Sequence, residues 1–228
     1  MKRIAIIPAR GGSKGIPYKN IIILKRKPLI VYTIEAAKKS RIFDRVIVST
    51  DNKKIQLIAK KYGAEVILRP KNIAQDKTPT EPVMLHVLDW LKKKENYQPD
   101  LVFLLQPTSP LRNNRDIEAA YKEFINKDLD SLLSVTNNKA FIWLKTGSKL
   151  RALNYNYLKR PRRQEMIGQF RENGAIYITK FDIIKKRSNR LGGRIGCYVM
   201  DELRSIDIDN YFDLVSAKQI LERKICKK

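Results

Sequence analysis

Short apolar runs alternate along the chain with segments whose apolar residues recur every three or four positions. Lys2–Ala9 reads as a strand carrying Pro8 near its end, and Leu29–Lys39 as a helix with Leu29, Val31, Tyr32, Ile34, Ala36 and Ala37 at helical spacing after a first-turn Pro28. A strand over Arg45–Thr50, a helix over Lys53–Tyr62 stopped by Gly63, and a strand over Glu65–Leu68 continue the pattern. A third helix is predicted over Glu81–Lys94, with Thr80 as its N-cap and Met84, Val87, Leu88 and Leu91 as its inner stripe. Leu101–Leu105 is uninterruptedly apolar, as expected of a strand covered on both faces. A helix over Asp116–Asn126 and a strand over Ser131–Val135 follow.

This order of strand and helix predicts a parallel, doubly wound sheet with right-handed crossovers. The rhythm breaks at about Asn137. From there to Lys159 the residues are mixed and rich in tyrosine, lysine and arginine, and hairpins or loops leaving the main sheet are expected. A strand over Ala175–Thr179, a short helix, a strand-like run Ile195–Met200 and an amphipathic helix Tyr211–Lys224 complete the reading. The expectation is one αβα domain over residues 1–228, with a small lobe inserted at approximately 138–170.

Composition sharpens this only in part. With 43% hydrophobic and 31% charged residues, the chain has the balance of a soluble globular protein. No apolar run approaches the roughly 20 residues a bilayer requires, so no membrane partner is expected. The apolar run Ile4–Ile7 is followed by glycines and does not read as a signal peptide. Cys197 and Cys226 form no spaced cluster, and a reducing cytoplasm is the expected location. The net charge of +24 admits nucleic acid, an acidic surface or a polyanionic small substrate as partner. Its lysines and arginines are spread along the chain, without the aromatic interleaving of a nucleic-acid module, so no specific nucleic acid is expected.

In an open sheet, ligands bind beyond the carboxyl ends of the strands, so the loops that follow strands carry the chemistry. The first runs Pro8-Ala9-Arg10-Gly11-Gly12-Ser13-Lys14-Gly15-Ile16-Pro17-Tyr18-Lys19-Asn20. Its glycines let backbone amides approach an anion, and Arg10, Lys14 and Lys19 add positive charge, although the spacing is not that of the common phosphate loop. A second loop, Gln106-Pro107-Thr108-Ser109-Pro110-Leu111-Arg112, is stiffened by two prolines and presents an amide at a strand end. A third segment holds Pro161-Arg162-Arg163-Gln164-Glu165 and Gln169-Phe170-Arg171-Glu172-Asn173-Gly174-Ala175; by composition it is equally a basic surface loop. In the fourth, Ser205-Ile206-Asp207-Ile208-Asp209, two carboxylates two residues apart could meet one hard cation. Alternatively, Asp209 could cap the helix that follows. His86, the lone histidine, points away from the apolar stripe of its predicted helix and is expected to have no catalytic role.

Together these segments, with Ile7-Pro8-Ala9-Arg10-Gly11-Gly12-Ser13-Lys14, Arg163-Gln164 and Asn173-Gly174-Ala175-Ile176-Tyr177, resemble the acylneuraminate cytidylyltransferases, the CMP-sialic acid synthetases. The resemblance implies a Rossmann-like, three-layer αβα nucleotide-sugar transferase fold. It implies a homodimer whose protruding lobes exchange between subunits. The implied reaction transfers CMP from CTP to the anomeric hydroxyl of a nine-carbon sialic-type acid, or of legionaminic or pseudaminic acid, and releases pyrophosphate. By the same resemblance, Ala9, Arg10, Gly11, Lys14, Lys19, Asn20, Arg69 and Thr80 would hold the nucleotide, with Arg10, Lys14, Lys19 and Asp209 closest to the chemistry. Gln106, Arg163, Arg171, Asn173 and Tyr177 would hold the sugar acid. Asp207 and Asp209 would hold Mg²⁺, which Mn²⁺ could replace, with Asp209 the more direct ligand. The stretches 138–160 and Arg190–Gly196 are not among the segments that carry the resemblance.

Overall fold

The computed structural model describes residues 1–223; Cys226 and the last residue of the predicted C-terminal helix, Lys224, lie outside them. In chain order the elements are β1 (Arg3–Pro8), a small hairpin of β2 (Ile23–Leu24) and β3 (Lys27–Pro28), α1 (Leu29–Ser40), β4 (Arg45–Thr50), α2 (Lys53–Lys61) and β5 (Glu65–Leu68). Then come α3 (Thr80–Glu95), β6 (Leu101–Leu104), α4 (Asn114–Asn126) and β7 (Ser131–Asn137). The chain continues with β8 (Trp143–Thr146), β9 (Lys149–Ala152), β10 (Phe170–Lys180), α5 (Phe181–Arg187), β11 (Ile195–Val199) and α6 (Tyr211–Glu222).

Seven strands form one sheet in the order β11-β7-β10-β6-β1-β4-β5. The sheet is mixed, not parallel as the strand–helix rhythm predicts: β10 runs antiparallel to both β6 and β7. The reason is the long excursion between β7 and β10, which brings the chain back at the end where β7 leaves the sheet, Phe170 opposite Asn137, without a crossover helix. Period-two alternation sorts the strands between two layers of helices. Ala5 and Ile7 of β1 and Phe103 of β6 pack with α1, α2 and α4. Ile4, Ile6, Val102 and Leu104 pack with α3 and α5. A third cluster joins Ile16, Leu111 and Ile208 to Ala217 of α6, and so gathers the loops after β1 and β6 with the chain leading into α6.

Local details differ from expectation where side-chain chemistry outweighs periodicity. Thr80 is the first residue of α3, not its cap; Pro79 stands at the N-cap, with no capping hydrogen bond. The helix α4 begins at Asn114, because Asn113 and Asp116 form a reciprocal capping box. Asn210 and Asp213 do the same for α6, so Asp209 does not cap that helix. The lobe contains a two-stranded sheet, β8–β9, separate from the main one.

Candidate active site

The sheet order reverses beside β1: the chain passes from β1 to β4 and β5 on one side, then returns to β6 on the other. A crevice at the carboxyl ends of β1 and β6 is the consequence. Antiparallel β10 reaches this crevice with its early residues, because Tyr177 pairs with Leu104, the last residue of β6. Gly174 then adopts a left-handed φ of 70°, at a register shift between Glu172 and Tyr177. That left-handed backbone is what favours glycine here; a Cβ would also stand 2.5 Å from Gln106 Oε1 and oblige the Gln106 amide to turn away.

One cavity, of about 340 Å³, is bounded by Arg10, Lys19, Asn20, Arg69 and Thr80. A second, of about 540 Å³, is bounded by Arg171, Asn173, Tyr177 and Arg190. Gln106, Asp207 and Asp209 line both. The two cavities are therefore adjoining halves of one cleft, with the acidic pair and the amide on their common wall.

The first half sets Arg10, Lys19 and Arg69 against Asp76 and is internally tied; Lys14 belongs to the same loop but does not line the cavity. Ala9 is buried, and its amide donates to Ser49 at 2.9 Å, which holds the start of the loop to β4. The Gly11 amide donates to Asp51 at 2.9 Å, and the Asn20 side chain donates to the Arg10 carbonyl at 2.9 Å. Asp76 bridges two cations of the loop, at 2.5 Å from Arg10 and 3.3 Å from Lys14. Partial desolvation works against it, but hydrogen bonds and charge from Lys14 and Arg10 hold the Asp76 carboxyl below the usual carboxylate range. Arg69 is 8% exposed and its Nε has no partner; burial lowers its pKa, the charge of Asp51 opposes this and that of Arg10 adds to it. A buried guanidinium with an unspent donor suits a ligand that brings acceptors.

The second half joins residues far apart in sequence. Asn173 accepts from Ser134 Oγ at 2.6 Å and donates to Ser205 Oγ at 2.9 Å. Its amide is thus spent on fixing β10 to the chain before Asp207. Burial and the hydrogen bond to Glu172 push the Tyr177 phenol well above its ordinary value. Arg171 lines the cavity, but Arg163 does not: it is exposed on a short 3-10 helix, Arg163–Glu165, in the lobe.

On the common wall, Asp207 Oδ1 is buried without a partner, and burial raises its pKa. Asp209 Oδ1 instead accepts from Lys19 Nζ at 3.0 Å. An orphaned carboxylate oxygen beside a second carboxylate fits a hard divalent cation. Among the described residues no cluster of three or more metal-binding side chains occurs, so such an ion would draw further ligands from phosphate and water. His86 lines a separate surface pocket with Trp90 and Pro70, outside the cleft.

Sequence reasoning missed Asp76, Arg112 and Arg190. Arg112 is 2% exposed and donates to the carbonyls of Gln106 at 3.2 Å and Ala175 at 2.7 Å, and to Thr33 Oγ1 at 2.6 Å. Burial pushes its pKa down to about 10, against the pull of Asp116. It closes the Gln106–Arg112 loop, whose prolines drew attention to the turn but not to its strap. Asp76 lies in a stretch with no periodicity, and nothing in the sequence pairs it with Arg10.

Comparison with known proteins agrees with this geometry. The protein-family profile described as cytidylyltransferase matches residues 4–223. The chain is 36% identical to an N-acylneuraminate cytidylyltransferase of Escherichia coli over 98% of its own length and 53% of that protein's. It is 34% identical to a pseudaminic acid cytidylyltransferase of Campylobacter jejuni over 96% of its own length and 95% of that protein's. It thus spans about half the length of the first relative and nearly all of the second. In structure it resembles a CMP:2-keto-3-deoxy-manno-octonic acid synthetase solved with CTP, at a TM-score of 0.72 and 18% identity, covering 98% of this chain and 100% of that one. That likeness bears on the fold alone, and the fold is the expected Rossmann-like α/β arrangement. Taken with the profile and the sequence relatives, it means that this chain belongs to the cytidylyltransferase family.

Proposed function

We propose that the chain transfers CMP from CTP to the anomeric hydroxyl of a nine-carbon sialic-type acid and releases pyrophosphate. The observation that carries this is the shared wall. A cavity that gathers Arg10, Lys19 and Arg69, cations a triphosphate could engage, and a second cavity suited to a polar acceptor meet at Gln106, Asp207 and Asp209. The acceptor hydroxyl oxygen would attack the α-phosphorus there and give up its proton to Asp207 or Asp209; one phosphorus–oxygen bond forms as the bond from the α-phosphorus to the oxygen bridging to the β-phosphate breaks, and that oxygen leaves with the pyrophosphate. Arg10, Lys14 and Lys19 would neutralise the triphosphate and the departing pyrophosphate, which is the main work a protein performs in such transfers. Arg69 and Thr80 would face the cytosine, and Gln106 the acceptor's hydroxyls. Asp207 and Asp209 would hold Mg²⁺ or Mn²⁺, which would supply charge against the phosphate oxygens.

The full-length match to the Campylobacter jejuni relative favours the same reaction on pseudaminic acid as a second reading. We also infer a homodimer that brings the lobe of one subunit, with Arg163, toward the other's acceptor cavity. No helix among the described residues is long and apolar enough to cross a membrane, and we place the enzyme in the cytoplasm, where CTP is made.

The test is pyrophosphate release from CTP, UTP, ATP or GTP with sialic, legionaminic, pseudaminic and eight-carbon sugar acids. Turnover with CTP and one nine-carbon acid is expected, with CTP strongly preferred. Turnover with UTP at a comparable rate, or none with any nine-carbon acid, would sink the proposal.

A further inference from the structure

Arg190 lies between α5 and β11, outside the segments that carry the family resemblance in the sequence, yet it lines the acceptor cavity. Three contacts fix it. Its guanidinium carbon stands 4.8 Å from the centroid of the Tyr177 ring, on the ring's face. Its Nε is 3.2 Å from Glu81 Oε1. Its own carbonyl accepts a hydrogen bond from Thr179, two residues along β10 from Tyr177. The side chain is only 24% exposed, so its rotamer freedom is spent before any ligand arrives. The closest approach to Glu81 is made through Nε, which leaves the terminal nitrogens of the fork for a ligand.

Asp207, Asp209 and Asp213 line this cavity, and so does Glu172, whose carboxylate is engaged by the Tyr177 phenol, while Arg190 covers the Tyr177 ring. Glu81 follows Thr80, a residue of the nucleotide cavity, so the Glu81–Arg190 pair also ties the two halves of the cleft together.

We propose that Arg190 binds the carboxylate of the acceptor sugar acid and is a specificity-determining residue of this enzyme. The inference rests on the proposed reaction and deepens it. In a sugar acid whose carboxylate is bonded to the anomeric carbon, a carboxylate gripped by a two-pronged guanidinium also fixes where the attacking hydroxyl lies. Arg190 therefore selects for the acid and orients it toward the Asp207 wall. Arg171, in the same cavity, is exposed. Arg163 reaches the site only with the lobe, so Arg190 is the pre-set cation that the main domain itself provides.

The experiment compares wild type, Arg190→Gln, Arg190→Lys and Glu81→Gln. The acceptors are the acid that wild type uses and the same sugar with its carboxylate converted to the amide. KM for both acceptors, KM for CTP and the thermal midpoint are measured. Arg190→Gln is expected to raise KM for the acid about tenfold or more, to leave KM for CTP within about threefold, and to lose most of the preference for acid over amide. Arg190→Lys should recover part of that preference, and Glu81→Gln should shift acid KM in the same direction by less. If Arg190→Gln does not fold, these last two variants carry the test. A variant that slows acid and amide equally, or that keeps the preference while its midpoint falls, would show that Arg190 merely packs on Tyr177. Wild type that turns over no nine-carbon acid would overturn the reaction itself, and this role with it.

Discussion

The ammonium of Lys19 stands 3.0 Å from Oδ1 of Asp209 and also donates to the carbonyl of Ile208 at 2.7 Å. A lysine from the loop after β1 thus clamps the acidic segment that precedes α6. The loop also touches that segment through backbone, because a Cβ on Gly15 would lie 2.4 Å from the Asp209 carbonyl oxygen. Phosphate-facing and acidic segments are therefore built as one unit.

Gly15→Ala should separate them. The obstructing atom is backbone, so no side-chain rotation relieves it, and one segment must move. Displacements of this order near reacting groups are costly, and kcat/KM should fall at least about tenfold. The thermal midpoint should move by only a few degrees, because the contact lies at the rim of the cleft. Unchanged kinetics would mean that the loop can slide without consequence. Steady-state rates together with a melting curve decide between these outcomes.

Arg112→Lys should destabilise the fold by about 3 kcal/mol, because one ammonium cannot replace three hydrogen bonds to separate buried acceptors. The acceptors lie on α1, on the Gln106 loop and on β10, so the loss should also appear as weaker acceptor binding. Urea unfolding monitors the first effect, and KM for the sugar acid the second. A cost below about 1 kcal/mol would show that the strap is redundant.

How far the sequence carries follows from where its periodicity persists. Ala5 and Ile7 against Ile4 and Ile6 sort to opposite helix layers as a period of two demands, and that alternation, with the helices between, was enough for the layered fold. The direction of β10 was not readable, because it depends on how a lobe without periodicity returns the chain. The Arg10 loop and the Asp207–Asp209 pair were visible as chemistry placed after strands or before a helix. Asp76 and Arg190 were not, because each acts through a partner brought close only by folding. Thr80 was misread as a cap because threonine commonly caps helices; here Pro79 holds that position and Thr80 borders the cleft.

The segment between β7 and β10 presents Leu158 at 82% and Ile167 at 86% exposure, and within it the Tyr155 ring centroid stands 4.6 Å from that of Phe141 and 5.9 Å from that of Trp143. Exposed apolar side chains of this kind suit an interface between copies of the chain. Light scattering should return a mass near twice 26.5 kDa. Leu158→Asp with Ile167→Asp should shift the protein toward the monomer and lower activity. Arg163→Ala should raise KM for the sugar acid more than KM for CTP. A fully active monomer would remove the lobe from the acceptor site.

The two carboxylates of the common wall should divide the labour of holding a cation unequally. Asp207 Oδ1 is buried and lacks a partner, whereas Asp209 is 74% exposed on its side chain and has Lys19 at its Oδ1. A buried carboxylate oxygen without a partner is costly to keep charged, and a divalent cation is a compensation that its surroundings allow. Asp207→Asn should therefore weaken Mn²⁺ binding, measured by paramagnetic titration in the presence of CTP, more than Asp209→Asn does. Asp209→Asn should still lower kcat about tenfold or more, because it removes the negative charge that pairs with Lys19. Chelation with EDTA should abolish turnover and added Mg²⁺ or Mn²⁺ should restore it, while the unfolding midpoint stays within a few degrees. The fold does not depend on the ion in this reading, since its core is built from the three apolar clusters. If both Asn variants bind Mn²⁺ as wild type does, the cation is held by other groups, and Asp207 is an unpaired carboxylate kept for another purpose.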